Sequence, residues 1–270
     1  FDLGGASVLR DHFQGLAFAG QKKILGYLGR VGHKENLAFL TSLVENKDVA
    51  LGLKNEAIQA MGNNWDGQHY LYDLLKAGRL EGQLKTTAAI KIMNCWDPEV
   101  RNAAPQFIDG VKSKEGELLP TPRELVDIPG EATAGAVVFQ SYCTSCHQVN
   151  GEGVVYGPDL SEIGDKLAKR AMYEAIIYPS SGINFGYEGY IVKMKDGSIY
   201  QGYITSQTED KLNLRMMGGV DQLIERSQMD SQEPMEVSLM TPNLQSVMSQ
   251  QSLVDLVEYM RTLKRDEIVQ

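Results

Sequence analysis

Cysteine, aromatic residues and long apolar runs are all scarce in this chain of 270 residues. It has only three cysteines, too few for the disulfide framework of a small secreted domain. No apolar run has the length needed to cross a bilayer, so we expect no membrane span in this chain. The hydrophobic content of 43% and the charged content of 23% are those of an ordinary globular protein.

Basic residues are also in the minority, with 26 Lys and Arg against 35 Asp and Glu and a net charge of −9. Residues 120–270 carry the whole excess, with 12 basic against 21 acidic residues, whereas residues 1–119 carry 14 of each. An acidic half is repelled by nucleic acid and by anionic membranes, and it favours a basic partner surface. An equal alternative is that this surface charge serves only to keep the protein soluble. We therefore expect a protein partner and no nucleic acid.

Two of the three cysteines stand in the run Cys143-Thr-Ser-Cys146-His147. Two thiols at this spacing can add to the vinyl groups of a haem, and the adjoining imidazole can reach its iron. A zinc site needs four ligands, and the remaining Cys95 lies far upstream. A thioredoxin-type dithiol should follow a strand, whereas residues 132–142 are predicted to be helical. The run therefore predicts covalent attachment of one haem c.

The residues downstream of the CxxCH run contain further motifs in a characteristic order. Gly151-Glu-Gly153 and Gly157-Pro158-Asp159-Leu160 follow the cysteines, and Met240 precedes a terminal amphipathic helix at about Gln250 to Lys264. Ser249 is the predicted N-cap of that helix. From about Arg123 onward the chain resembles a class I cytochrome c domain of bacteria.

Four further segments narrow this resemblance to one subgroup. They are Tyr178-Pro179-Ser180, Tyr187 to Tyr190, Lys195-Asp196-Gly197 and Ser238-Leu-Met240. The second half is thus similar to the haem-binding domain family found at the C-terminal end of large bacterial dehydrogenase-like chains.

The resemblance implies a role for five residues. Cys143 and Cys146 are the expected thioether anchors, His147 the proximal iron ligand and Met240 the distal ligand. The backbone carbonyl of Pro158 is expected to orient the proximal imidazole.

The choice of Met240 has to be weighed, because the chain contains eleven methionines and most methionines fill cores. The family has Pro directly after the ligand, whereas here Thr241 stands between Met240 and Pro242. Met240 nevertheless lies in a Pro-containing loop at the family's distance before the last helix. Met235 is the next candidate, and other methionines stay open: Met216, Met217, Met229 and Met248.

Residues 1–119 contain an internal repeat with an offset of 31 residues. The matched pairs include Leu53 with Leu84, Ala57 with Ala88, Asn63 with Asn94, Trp65 with Trp96, and Asp66 with Asp97. Each unit is interpreted as two helices that must stack on neighbours to bury their apolar faces. This resembles short HEAT-like helical repeats, in which Trp65 and Trp96 are expected to plug the gaps between units.

The two halves are joined by a segment of linker composition from Val111 to Gly130, which contains three prolines. Some of its apolar residues are expected to pack: Leu118, Leu119, Leu125 and Ile128. Within the second half, residues from about 187 to 227 contain two hairpin patterns. Asp196-Gly197 predicts a type I′ turn in the first, and Gly218-Gly219 marks the second.

The predicted fold is therefore mainly α. It comprises a HEAT-like repeat domain at 1–119 and a class I cytochrome c domain at 120–270 that carries a small antiparallel β insertion at about 187–227. Such a protein is expected to transfer single electrons and not to be an enzyme in its own right.

The family resemblance implies further properties. The protein would be periplasmic or otherwise exported from a bacterium. Its redox partner would be a dehydrogenase domain or subunit, from which it would relay electrons toward the respiratory chain. Two other functions stay open: a haem peroxidase or gas sensor, if the distal methionine is absent or displaced, and a repeat-domain scaffold.

Overall fold

The computed structural model describes residues 3–31, 33–95 and 97–265, so Trp96 lies outside the described residues. Contacts divide the chain into two compact units, Phe1–Asp109 and Gly110–Gln270. The boundary predicted from the sequence, after residue 119, lies later in the chain. No helix among the described residues combines the length and the apolar character that a membrane crossing requires.

The first unit is helical. Its α-helices are α1 (Leu3–Asp11), α2 (Phe18–Arg30), α3 (Lys34–Glu45), α4 (Leu51–Met61), α5 (Trp65–Lys76), α6 (Gly82–Ile92) and α7 (Pro98–Ala103). The sequence offset of 31 is also the spacing of the helices, because α3 and α5 begin at residues 34 and 65, and α4 and α6 begin at residues 51 and 82. Helix α4 packs against both α2 and α6, so these three even-numbered helices stack in a row.

The start of α5 shows how polar residues join neighbouring helices. The Asn64 side chain accepts a hydrogen bond from the backbone N–H of Gly67 at 2.8 Å, and its amide group donates to the carbonyl of Gly29 at 3.1 Å. Trp65 follows this cap at the first helical position and is 54% exposed. It packs on the His69 ring of its own helix, with centroids 4.4 Å apart. A ring that is more than half exposed does not fill the gap between adjacent repeat units, so that expectation for Trp65 is wrong.

The second unit contains the remaining α-helices, α8 (Pro122–Leu125), α9 (Ala132–Tyr142), α10 (Ile163–Lys166), α11 (Lys169–Ile177) and α12 (Gln250–Thr262). The predicted helices before the cysteines and at the end of the chain are thus confirmed. Ser249 caps α12 by accepting a hydrogen bond from Ser252 N–H at 3.0 Å. Helices α9 and α12 pack together, and a Cβ on Gly135 would overlap the backbone carbonyl of Asp255.

Two antiparallel sheets complete this unit. The strands are β1 (Gln148–Val149), β2 (Glu152–Gly153), β3 (Gly189–Met194), β4 (Ile199–Gln207), β5 (Lys211–Met216), β6 (Val220–Glu225) and β7 (Met229–Pro234). Strands β3 to β7 form one sheet in the order β6-β5-β4-β3-β7. The β insertion therefore extends to Pro234 and not to about 227. Strand β7 was missed because it lacks alternating apolar residues and ends in proline, as edge strands can.

The turn between β3 and β4 differs from the predicted type I′ turn. That turn requires a positive φ at both central residues, but here only Gly197 has one, at 89°. The Gly197 N–H donates to the carbonyl of Met194, and Met194 N–H donates to the carbonyl of Ser198. This pattern is a three-residue loop with glycine in the left-handed position. The second predicted hairpin, between β5 and β6, is confirmed, with φ values of 82° at Gly218 and 76° at Gly219.

The segment that precedes α8 is part of the second unit's core. Leu119 of this segment and Leu125 of α8 are both buried in that core. Leu118 is 66% exposed, so the expectation that Leu118 packs is wrong. The backbone N–H of Lys114 donates to the carbonyl of Met248 at 3.0 Å, which joins this segment to the loop before α12.

Candidate functional site

The CxxCH turn begins where α9 ends. Cys143 N–H donates to the carbonyl of Phe139 at 2.8 Å, and the Cys143 carbonyl then accepts from Cys146 N–H at 3.0 Å and from His147 N–H at 2.8 Å. The side chains of both cysteines are free thiols of intermediate exposure. Burial, with a smaller effect of Cys146, raises the pKa of the Cys143 thiol to about 12. A redox dithiol needs a lowered thiol pKa, so this environment argues against that alternative.

His147 is held through one nitrogen of its ring. Its Nδ1 lies 2.8 Å from the carbonyl oxygen of Pro158, and because a carbonyl only accepts, Nδ1 carries the hydrogen. Burial lowers the pKa of His147, which keeps the imidazole neutral at pH 7, and the hydrogen bond to Pro158 offsets part of this effect. The lone pair is therefore on Nε2, which has no hydrogen-bond partner among the described residues. This is the form of histidine that binds a metal.

The loop after β2 wraps around this turn. Val154 N–H donates to the carbonyl of Thr144 at 2.9 Å, while Tyr156 N–H and Gly157 N–H both donate to the carbonyl of Cys146, at 3.1 and 2.6 Å. The His147 ring lies directly on the backbone of Gly157, because a Cβ there would overlap Cε1 of the ring. Glycine is thus required at this position by close approach.

Met240 lies in a loop that is tied to the helical part of the unit. Its side chain is half-buried and packs against the same core as Cys143 and α12. Its N–H donates to Ser238 Oγ at 3.1 Å, and Ser238 N–H donates to Ser180 Oγ at 3.0 Å. Thr241 and Pro242, where this chain departs from the family pattern, are both exposed.

The other candidate methionines have different surroundings. Met216 and Met229 pack against the sheet core, Met248 is 2% exposed in the core of the helices, and Met217 is 70% exposed. Met235 packs on the start of β3, where a Cβ on Gly189 would stand 2.7 Å from its sulfur.

Sequence reasoning missed a group of tyrosines beside the CxxCH turn. Tyr156 and Tyr203 are 5% and 6% exposed, and their ring centroids lie 6.0 Å apart. The Tyr187 ring follows at 4.9 Å from that of Tyr203. No sequence signal links these residues, because the contact joins the loop after the motif to the inserted sheet.

Residues 132–210 match the family model described as Cytochrome c, and the match begins with α9 and includes the CxxCH turn. The chain contains a cytochrome c domain. Such a domain implies covalently bound haem c and haem-based electron transfer. A comparison with curated proteins gave no match.

The residues around the CxxCH turn of the second unit fit a haem in their chemistry. Two free thiols stand on one turn, the neutral imidazole of His147 has an unpaired Nε2, and the glycine beneath its ring leaves room for the imidazole. The half-buried thioether of Met240 belongs to the same core as Cys143.

Proposed function

We propose that this protein is a monohaem c-type cytochrome that transfers single electrons. Cys143 and Cys146 would form the thioether bonds, His147 would bind the iron on the proximal side and Met240 on the distal side. The observation that carries this proposal is the neutral His147 in a CxxCH turn, with Nδ1 held by the Pro158 carbonyl and Nε2 unpaired. Haem supplies an iron that cycles between the ferrous and ferric states and so stores one electron.

The chain's own residues would set the properties of that centre. The hydrogen bond from His147 Nδ1 to Pro158 makes the imidazole more basic and fixes the plane of its ring. The soft sulfur of Met240 favours the ferrous state, so the reduction potential should lie on the higher side for a c-type haem. With His147 and Met240 both bound to the iron, no position would stay open for a substrate, which separates this proposal from a peroxidase or gas sensor.

The narrower family resemblance supports a proposal about partners. The cytochrome would accept electrons from a periplasmic dehydrogenase and pass them toward the respiratory chain. The excess of acidic residues in 120–270, with 12 basic against 21, favours a donor or acceptor with a basic docking face. Attachment of haem to CxxCH outside the cytoplasm of bacteria supports an exported location.

The first unit would serve as a HEAT-like repeat domain that presents a surface to the partner assembly. Support comes from the matched starts of α3 and α5 and of α4 and α6, and from the stacking of α2, α4 and α6. Repeats of this kind bury one continuous core and leave their outer faces free for binding.

Replacement of the distal ligand tests the proposed function. Wild-type protein matured in an exporting host should keep its colour through acidic organic extraction, because thioether bonds hold the haem. Met240→Ala should abolish the weak long-wavelength sulfur-to-iron band of the ferric form, lower the reduction potential and let carbon monoxide bind. Absorption spectra and a redox titration measure these changes.

Met235→Ala is the matched control, since Met235 lies in the same connection but packs on Gly189 of the sheet. It should keep the band and the potential of the wild type. Loss of the band in Met235→Ala, with the band retained in Met240→Ala, would refute Met240 as the ligand. Release of the colour into the solvent from wild-type protein would refute covalent attachment.

A further inference from the structure

The inserted sheet contacts the loop that holds the proximal histidine at two points. On β4, the ring of Tyr203 packs against that of Tyr156, with 6.0 Å between centroids. At the tip between β5 and β6, Gly219 is so close to the loop that an added Cβ would stand 3.0 Å from Val154 Cγ1 and 3.3 Å from Val155 O. The sheet thus meets residues 154–156 with both a strand and a turn.

The same short loop determines where the His147 ring lies. Directly after Tyr156 come Gly157, on which the ring rests, and Pro158, whose carbonyl accepts the Nδ1 hydrogen at 2.8 Å. Tyr156 N–H and Gly157 N–H donate to the carbonyl of Cys146, so the loop is also bound to the CxxCH turn. A displacement of Tyr156 would therefore be transmitted through two peptide units to the hydrogen bond of His147.

Tyr203 is itself held rigidly. Its neighbours across the sheet are Gly189 on β3 and Arg215 on β5. Arg215 forms a bidentate ion pair with Asp221 on β6, with Nε to Oδ1 at 2.7 Å and a second contact at 2.6 Å. The Tyr187 ring covers Tyr203 from the loop before β3. Because β3 and β5 flank this residue and the Arg215–Asp221 ion pair ties β5 to β6, the ring can resist movement of the loop.

We propose that the inserted β-sheet is a brace for the proximal side of the haem site, in which Tyr203 and Gly219 are positioning residues that fix His147 through the loop 154–158. The brace keeps the Pro158 carbonyl on Nδ1 and water away from that hydrogen bond. This inference rests on the proposed function, since it assigns a role to residues around the iron ligand.

Substitution of Tyr203 tests the brace through a property of the histidine itself. In the ferrous haem protein, NMR measures the solvent exchange of the His147 Nδ1 hydrogen. Tyr203→Ala should accelerate this exchange about tenfold or more, because the loop opens more often when the ring is lost. The reduction potential should rise, because a weaker hydrogen bond makes the imidazole a poorer donor to ferric iron. Tyr203→Phe keeps the ring and should restore both values.

Tyr200→Ala is the matched control on the same strand. Tyr200 is paired with Val192 and packs against the sheet's own core on the opposite face from Tyr203. It should loosen the sheet without changing the exchange of His147 Nδ1. Equal exchange rates in Tyr203→Ala and Tyr200→Ala would overturn the proposal.

A second pair of variants covers the case in which Tyr203→Ala does not fold. Gly218 and Gly219 are adjacent left-handed residues, with φ values of 82° and 76°, but only Gly219 touches the loop. Asn tolerates this backbone region, so Gly219→Asn and Gly218→Asn should introduce similar backbone strain. Only Gly219→Asn should accelerate exchange at His147 Nδ1, and equal effects of the two variants would refute the brace.

The two proposals fail in different ways. Absence of covalent haem or of the methionine band from wild-type protein contradicts the proposed function. A normal wild-type spectrum, with variants that leave the exchange rate and the potential unchanged, contradicts the brace alone.

Discussion

At the scale of single residues, His147 and His69 show how surroundings select the protonation state of an imidazole. His147 is neutral because burial lowers its pKa and only Nδ1 meets an acceptor, the carbonyl of Pro158. The ring of His69 in α5 meets acceptors on both sides. Its Nδ1 lies 2.9 Å from the Trp65 carbonyl and its Nε2 lies 3.0 Å from Asp97 Oδ2. Only the doubly protonated ring can donate to both.

We predict that His69 titrates above its ordinary pKa of 6.5, because the Trp65 carbonyl and then the Asp97 carboxylate raise its pKa. A raised folded-state pKa means that the stabilisation is complete below pH 6.5 and is lost as the pH rises through the folded value. The hydrogen bond from His69 lowers the folded-state pKa of Asp97 below 3.8. The stabilisation from Asp97 is therefore lost as the pH falls through that folded-state pKa. The pair should therefore stabilise the first unit at pH values between the folded-state pKa of Asp97 and that of His69.

An NMR titration of the His69 Cε1 hydrogen measures this prediction. Asp97→Asn should lower the midpoint toward 6.5, because it removes the charged acceptor. Asp66→Asn is the control, since Asp66 raises the pKa of His69 least of the groups around it. A midpoint equal in wild type and Asp97→Asn would show that the pair does not form.

At the scale of elements, the crossing of α9 and α12 joins the beginning and the end of the second unit's helical part. The crossing needs Gly135, because a side chain there would overlap the backbone carbonyl of Asp255. The carboxylate of Asp255 accepts a hydrogen bond from the N–H of Glu131, the N-cap residue of α9, at 2.8 Å and so ties the start of α9 to α12. The CxxCH turn continues directly from α9, so its position depends on this crossing.

We predict that Gly135→Ala destabilises this domain by about 1–3 kcal/mol or more, because the two helices must move apart. In an open helix the same change should stabilise by about 0.5–1 kcal/mol. Gly26→Ala in α2 provides that comparison, because a Cβ at Gly26 meets nothing within 4 Å. Denaturant unfolding followed by hydrogen exchange in each unit measures both. A stabilising effect of Gly135→Ala would contradict the close crossing.

At the scale of the whole molecule, the segment after Asp109 belongs to the second unit, although its composition is that of a linker. Leu119 is 9% exposed in the core of that unit, and the backbone of Lys114 is bound to Met248. The adjacent Leu118 is 66% exposed. A fragment that begins at Gly110 therefore keeps contacts that one beginning at Thr121 loses.

We predict that residues 110–270 fold with the stability of the domain in the full chain, whereas residues 121–270 lose about 2 kcal/mol or more, the value of burying a leucine. Two point variants of the full chain give the matched comparison. Leu119→Ala should cost about 2–5 kcal/mol, and Leu118→Ala should stay within about 0.5 kcal/mol. Urea unfolding followed by near-ultraviolet circular dichroism measures the stability of the two fragments and the two variants. Equal stability of the two fragments would show that residues 110–120 contribute nothing.

The features that the sequence predicted well are those that neighbouring residues decide. Helices α9 and α12 follow from their apolar spacing, with Ser249 as the cap of α12, and the hairpin at Gly218-Gly219 follows from its glycines. The spacing of 31 residues between helices was also readable, since repeated helices leave repeated apolar positions. The cap and the hairpin act over one or two turns of chain, and the repeat is a comparison of the sequence with itself, so none of these signals needs knowledge of the fold.

Where distant residues compete, the sequence alone was insufficient. It assigned Trp65 to the gap between repeat units and Leu118 to the packed residues, but both side chains are more than half exposed. Beside Leu118, the neighbouring Leu119 takes the interior position. It also ended the β insertion before β7, which is a strand only because β3 supplies its hydrogen bonds.

By itself, the sequence determined the chemistry of the site, because the two thiols and the imidazole of the CxxCH turn are fixed by covalent neighbourhood. Only the tertiary structure decided the environment of that turn. The contact of Tyr203 with Tyr156 joins the inserted sheet to the loop beside His147, over a long separation in the chain. Such contacts depend on which surfaces remain to be buried after the helices and strands have formed, and no local pattern encodes that.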